Sequence, residues 1–192
     1  MPAKTLEDLP ADARIEVRTY DNGTVDIMAL NGQNEPYCLP GEGTHLLGIS
    51  IEKKIDPVTG REMCRSLSCA ARHGFGPLAY DLAIEFASSN GRGGLLTGTG
   101  LNENSKPVWE FYRDKRPDVT HTDFAADHPW VKSRFCDPEF PFALRKPVQL
   151  LPKLEASGRI KYVDGLSDLL PEALDLDDQV DEELRKLFGG EE

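Results

Sequence analysis

The chain of 192 residues is 39% hydrophobic and carries a net charge of −11 at pH 7. That length and apolar content fit one main globular domain, and no apolar run approaches the roughly 18 residues of a membrane span. Eleven acidic and two basic residues lie within 164–192, where most of the negative charge is concentrated. The sequence therefore argues against a membrane protein and against autonomous nucleic-acid binding. It predicts that the acidic end is either a solvated tail or a segment that docks on a basic partner.

The amino terminus and the cysteines predict a cytoplasmic protein. Residues 1–13 are polar and mixed in charge, unlike a secretory signal. We expect reduced, mostly buried thiols and no structural metal, because no CxxC pair or zinc-binding spacing occurs among Cys38, Cys64, Cys69 and Cys136. One loop group has metal-capable side chains in a spacing that matches no metal site: His121, Asp123, Asp127, His128 and Cys136.

The first part of the chain predicts an antiparallel sheet. Residues 1–13 form a lead-in arm, and the alternation over 15–30 around an Asp-Asn-Gly turn predicts a hairpin. A third strand is expected at 44–53. A turn at 56–60 leads into a fourth strand that ends before Arg72 and whose apolar residues alternate with polar ones: Met63, Leu67, Cys69 and Ala71.

A glycine turn and an amphipathic helix follow this strand directly. Gly74 and Gly76 supply a turn, and Pro77 suits the first turn of a helix. An apolar face follows at helical spacing: Leu78, Ala79, Leu82, Ala83, Phe86 and Ala87. The start of such a helix can bind a pyrophosphate or another anion, and Arg72 would add a positive charge. The alternative is that this turn only joins a strand to a helix.

The second part predicts a mixed sheet with helices packed on it. A short strand at 94–97 should run parallel to the fourth strand, because a helix connects the two. The other expected elements are a helix at 104–115 with Val108, Phe111 and Tyr112 on one face, a strand at 117–120, an ordered loop at 121–149, a short helix at 150–158, an extended segment at 159–163 and an acidic amphipathic helix at 171–188. The predicted organisation is an arm at 1–13, a domain at 14–163 and an acidic tail at 164–192.

Residues 44–119 resemble the acetyl-CoA-binding core of GNAT-superfamily acetyltransferases. The order of strand, glycine turn, helix, strand and helix carries the likeness. More closely, GFGPLAYDLAIEFAS, GGLLTG, KPVWEFYRDKRPDV and LPKLEASGRI resemble bacteriophage-encoded GNAT-like proteins over residues 44–163. The resemblance implies an α+β fold with a bent, mostly antiparallel mixed sheet flanked by helices. It also implies a location in the cytoplasm of an infected bacterium, or in a virion.

The resemblance also implies site residues. The backbone of Leu67, Ser68, Cys69 and Ala70 would contact the pantetheine of acetyl-CoA. The pyrophosphate would lie on Arg72, His73, Gly74, Phe75 and Gly76. Asn104 and Ser105 would touch the cofactor from the second helix, and Tyr112 would be the general acid that protonates the departing thiolate. The alternative for Tyr112 is a core aromatic residue.

Two functions of different classes are consistent with the sequence. The first is an acetyl-CoA-dependent N-acetyltransferase that acts on an amine. The second is a non-catalytic GNAT-fold phage protein that binds a phage structural protein or a host factor. The second is favoured by Ala71 standing where the superfamily has Gln or Arg, by Pro77 lacking a backbone N–H, and by a loop at 31–43 that is short for an acceptor site. The sequence offers no obvious general base: Glu62 begins the fourth strand and Glu52 lies on its neighbour, and surface positions are expected for both.

Overall fold

The computed structural model describes residues 3–36, 46–72, 74–99, 101–103 and 105–166. Within these residues the strands are β1 Arg14–Tyr20, β2 Thr24–Leu30, β3 Leu47–Ile55, β4 Glu62–Ala71, β5 Leu95–Leu96, β6 Thr120–Asp123, β7 Phe142–Arg145 and β8 Ile160–Leu166. The helices are α1 Gly76–Ser88, α2 Lys106–Asp114, α3 Pro129–Lys132 and α4 Leu150–Ala156, and a short 3-10 turn spans Leu6–Asp8.

The strands form one mixed sheet in the order β6-β7-β5-β4-β3-β2-β1-β8. Neighbours from β1 to β4 are antiparallel, as the hairpin and turn signals predict. β5 runs parallel to β4 and β8 runs parallel to β1. The α+β class and the mixed sheet flanked by helices are therefore confirmed.

Helix α1 packs its apolar face on the middle of the sheet and forms the centre of the main core. Leu82, Ala83 and Ile84 are fully buried there, as is Ala87 near the end of the helix. The helix ends at Ser88, and Asn90 and Gly91 then adopt positive φ angles of 53° and 77°. This left-handed turn sends the chain back to β5.

The amino-terminal arm is part of the fold. Leu6, Leu9 and Ala13 are buried in the main core. The Arg159 guanidinium donates hydrogen bonds to the carbonyl oxygens of Pro10 and Ala13 at 2.8 and 3.0 Å. Residues 3–13 therefore pack on the domain and contribute to its core, although residues 1–13 were expected to form only a lead-in arm.

The segment 121–149 differs from the expected loop. It contains α3 and β7, and β7 lies between β5 and β6 inside the sheet. Phe142, Ala143 and Leu144 are all buried, so β7 lacks the alternation that marks a strand with one exposed face. β6 also begins at Thr120 rather than at 117.

Two further boundaries differ from the predictions. In α2, Trp109 and Tyr112 are buried whereas Phe111 is 46% exposed, so the buried face is rotated from the predicted one. β8 continues to Leu166, past the predicted domain end at 163. The acidic helix predicted at 171–188 lies outside the described residues. No helix in the described part of the chain has the length and apolarity to cross a membrane.

Candidate functional site

Strands β4 and β5 separate soon after they begin to pair. They pair at two positions, Cys64 with Leu95 and Arg65 with Leu96. β4 continues to Ala71 and pairs with β3 along its other edge. Between Ser66 and Ala71, the edge of β4 that faces β5 therefore has no strand partner among the described residues. Backbone N–H and C=O groups on such an edge can pair with a ligand.

A β-bulge at Leu67 marks the place where the strands separate. Ser50 pairs with Ser68 and Ile51 pairs with Ser66, which leaves Leu67 as an extra residue that is 47% exposed. A bulge shifts the alternation of side chains by one position. The expectation of one continuous buried face through Met63, Leu67 and Cys69 is therefore wrong. Met63 packs with Leu96 and Trp130 in a second apolar cluster, whereas Cys69 pairs with the core residue Ile49.

A groove of about 530 Å³ lies along the free edge of β4. Its walls come from β4, from the start of α1, from the loop after β5 and from α2. Its lining includes Leu67, Ser68, Cys69, Gly76, Tyr80, Gly98, Ser105 and Trp109. Gly98 is required for close approach of the loop after β5 to β4, because a Cβ there would lie 2.6 Å from the carbonyl oxygen of Ser66.

Tyr80 and Trp109 form the aromatic wall of the groove. Their rings meet edge to face with centroids 5.9 Å apart, and they are 8% and 1% exposed. Burial raises the pKa of the Tyr80 hydroxyl, so it is a neutral donor at pH 7. No hydrogen bond joins this hydroxyl to another described residue. Neither aromatic residue was predicted as a site residue, although Ser105 and Trp109 are spaced to share one face of a helix.

Tyr112, which the resemblance implies as the general acid, is buried against the start of α1. It is 1% exposed and is not among the residues that line the groove. Its hydroxyl donates a 2.8 Å hydrogen bond to the carbonyl oxygen of Pro77 in the first turn of α1. Burial raises the pKa of this hydroxyl. The observed contact ties α2 to α1.

The turn from β4 into α1 offers a limited set of backbone donors. The Arg72 N–H bonds Leu46 O at 3.1 Å, and the Phe75 N–H bonds Arg72 O at 3.0 Å. Gly74 has a positive φ of 89°, a conformation that favours glycine. Pro77 has no N–H, so among the described residues of this turn the backbone donors that remain are at most Gly74, Gly76 and Leu78. The exposed Arg72 side chain supplies the only positive charge of the turn among its described residues.

The predicted cofactor residues therefore lie in different parts of the structure. Leu67, Ser68, Cys69, Gly76 and Ser105 line the groove. Ala70 lies on a hollow on the opposite face of the sheet. Phe75 is 2% exposed, with Lys4 Nζ 4.9 Å from its ring centroid. His73 and Asn104 lie outside the described residues.

The groove thiol is not an activated nucleophile. Cys69 belongs to an exposed stretch of β4, yet the surrounding protein atoms desolvate its thiolate and raise the pKa of the thiol to about 11. At neutral pH it is therefore protonated.

Nearby carboxylates are engaged in ion pairs. Glu52 lies 2.5 Å from Arg65 and 2.9 Å from Lys54, and Glu62 pairs with Arg92. His128 is held at 3.1 Å from Asp56, and its other ring nitrogen accepts the Trp130 N–H. The described residues contain no group of three or more side chains placed to bind a metal ion.

Comparisons with protein-family models, with curated protein sequences and with solved structures each find no match.

Proposed function

We propose that this protein is an acetyl-CoA-dependent N-acetyltransferase with a GNAT-type fold. The observation that carries the proposal is the separation of β4 from β5 after two residue pairs, with a groove along the free edge of β4. A thioester cofactor with an extended, amide-containing arm would pair with that edge in the manner of an added strand.

The residues of the groove fit such a cofactor. Its volume of about 530 Å³ is within the usual range of about 300–1,000 Å³ for small-molecule sites. Amides of the arm would bind the backbone at Leu67 and Cys69. The diphosphate would lie near Gly76, where the start of α1 presents N–H groups and Arg72 adds a charge.

Bound acetyl-CoA would supply an activated acyl group to an amine, so that a C–N bond forms as the C–S bond breaks. The proton that the amine loses would pass to solvent, which restores the proton given to the sulfur. The chain's own contribution would be to orient the arm along β4, to exclude water with Tyr80 and Trp109, and to hold a proton for the leaving sulfur. Tyr80 is the tyrosine that lines the groove, so we assign the proton to its hydroxyl. Tyr112, which the resemblance implies for this role, is the alternative donor.

A non-catalytic role is the second candidate. Tyr112 is hydrogen-bonded to Pro77, and Glu52 and Glu62 are paired with arginines, so none of these predicted groups is free to transfer a proton. The fold would then serve as a binding surface for a phage structural protein or a host factor.

Calorimetric titration of acetyl-CoA and CoA into the purified chain tests the proposal. A Cβ at Gly76 meets no atom within 4 Å, so both Gly76→Asp and Gly76→Asn can be accommodated. Asp places a negative charge where the diphosphate would lie, whereas Asn has the same shape without the charge. The proposal is supported if Gly76→Asp lowers the affinity for acetyl-CoA at least tenfold more than Gly76→Asn does. Absence of binding to the folded wild-type protein would rule it out and favour the second candidate.

A further inference from the structure

A second concave surface lies on the face of the sheet that points away from α1. It is a hollow of about 260 Å³ lined by Asp26, Met28, Gly48, Ser50, Ser68 and Ala70. The hollow is amphipathic, because its lining combines the apolar Met28 and Ala70 with the polar side chains of Asp26, Ser50 and Ser68. The groove and the hollow share Ser68.

Three polar residues cross this hollow in a single row. Asp26 pairs with Ser50, and Ser50 pairs with Ser68, so the row runs straight across β2, β3 and β4. The Ser50 hydroxyl donates a 2.5 Å hydrogen bond to Asp26 Oδ1. Since neighbouring strands are about 4.8 Å apart, the row spans about 10 Å and ends at the strand that borders the groove.

The Asp26 carboxylate has neutral donors but no ion pair within 4 Å among the described residues. Arg18 stands opposite Asp26 in register, yet its Nε lies 2.5 Å from Glu16. Lys161 also forms an ion pair with Glu16, with 3.5 Å between Lys161 Nζ and Glu16 Oε2. The Tyr20 hydroxyl lies close to Asp26. Because a carboxylate has about four acceptor positions, Asp26 retains capacity for an ammonium group.

We propose that the hollow binds a cationic group of the acyl acceptor. The acceptor would be an alkyl diamine, or an amine with a second cation, whose ammonium contacts Asp26 while its reacting nitrogen reaches the β4 edge at Ser68. Because Asp26 and Ser68 lie two strand spacings apart, the two nitrogens of the acceptor should be separated by one to two such spacings, about 5–10 Å. This inference rests on the proposed function for the identity of the reacting group, but binding in the hollow needs no cofactor.

Binding is tested by NMR titration of the ¹⁵N-labelled full chain with 1,4-diaminobutane. The uncharged 1,4-butanediol is a length-matched control for the probe. Asp26→Asn removes the charge, and Asp12→Asn is the matched change at an exposed residue outside the hollow. Gly48→Ala places a methyl group in the hollow, where its Cβ would lie an acceptable 3.8 Å from Ala70 O.

We expect saturable shifts of the Gly48, Ser50 and Ser68 amides with the diamine and none with the diol. Asp26→Asn and Gly48→Ala should each weaken binding at least threefold, whereas Asp12→Asn should not. If Asp26→Asn does not fold, the diamine affinity of Gly48→Ala tests the proposal in its place. Equal binding of diamine and diol, or unchanged affinity in the variants, would overturn the proposal. Acetyl-CoA added to the same samples tests the groove separately, so that either site can fail alone.

Discussion

The Glu85 carboxylate of α1 accepts a 2.7 Å hydrogen bond from the backbone N–H of Leu150 at the start of α4. The same oxygen accepts the N–H groups of Gln149 and Leu151 at 2.9 and 3.1 Å. Lys146 Nζ lies 3.3 Å from the other oxygen, and the Glu85 side chain is fully buried. One carboxylate therefore caps α4 and balances a buried lysine.

Replacement of Glu85 should be strongly destabilising. Glu85→Ala removes the cap of α4 and the closest carboxylate partner of Lys146, whereas Asp81 and Asp118 remain at 3.5 and 3.7 Å from Lys146 Nζ. The free energy of unfolding should therefore fall by about 3 kcal/mol. Urea denaturation followed by circular dichroism measures this loss. Glu110→Ala changes the same residue type at an exposed position of α2 and should stay within about 0.5 kcal/mol of wild type. Similar midpoints for the two variants would contradict the assignment.

Matched substitutions distinguish the role of Tyr80, which lines the groove, from that of Tyr112, which does not. Tyr80→Phe removes the hydroxyl in the groove and should lower the maximal rate of acetyl transfer by about 100-fold. Tyr112→Phe removes the hydrogen bond to Pro77 and should cost about 1 kcal/mol of stability with little change in rate. The rates are read from CoA release in the presence of an amine. A rate loss confined to Tyr112→Phe would assign the proton donor to Tyr112.

Cys69 reports directly on the groove. Because desolvation raises the pKa of its thiol to about 11, alkylation by iodoacetamide should be slow at pH 7 and should accelerate steadily up to that pH. Acetyl-CoA at saturating concentration should slow the reaction, because Cys69 lines the proposed site. Mass spectrometry of the peptide that contains Cys69 gives the rate. Cys136, which is buried elsewhere, is the internal control, and equal protection of both residues would indicate a general effect.

Asp118 should make the stability depend on acid pH. Its hydrogen bonds from the Arg116 guanidinium lower its pKa from 3.8 to about 2. A carboxylate with a depressed pKa in the folded state stabilises the fold above its ordinary pKa, and this contribution is lost as the pH falls from about 4 to about 2. Asp118→Asn should therefore show a shallower decline of unfolding free energy across that window than wild type.

Most of the sheet could be predicted from local signals. The Asp-Asn-Gly turn defined the hairpin of β1 and β2, and the glycine turn before Pro77 placed the start of α1. These signals are local, because each turn requires particular backbone angles that few residues adopt. β7 gave no such signal, since three of its four residues are buried by neighbours distant in sequence.

The site was only partly predictable for a related reason. The positions of Ser68 and Cys69 at the end of β4 followed from the order of elements, but the bulge at Leu67 depends on how β4 pairs with β3. That pairing decides which side chains face the groove and which face the hollow. The contact of Tyr112 with Pro77 likewise depends on the packing of α2 against α1, which periodicity alone does not specify.

The parallel pairing of β1 with β8 affects how the chain can fold during synthesis. Ile15 pairs with Ile160, so the outer edge of β1 has no strand partner until a segment nearly 150 residues later has been synthesised. Until then β1 presents an open edge, which is a site for pairing with other chains. The ribosome must therefore release almost the whole described fold before the sheet is complete, and folding should be sensitive to any truncation that removes residues 160–166.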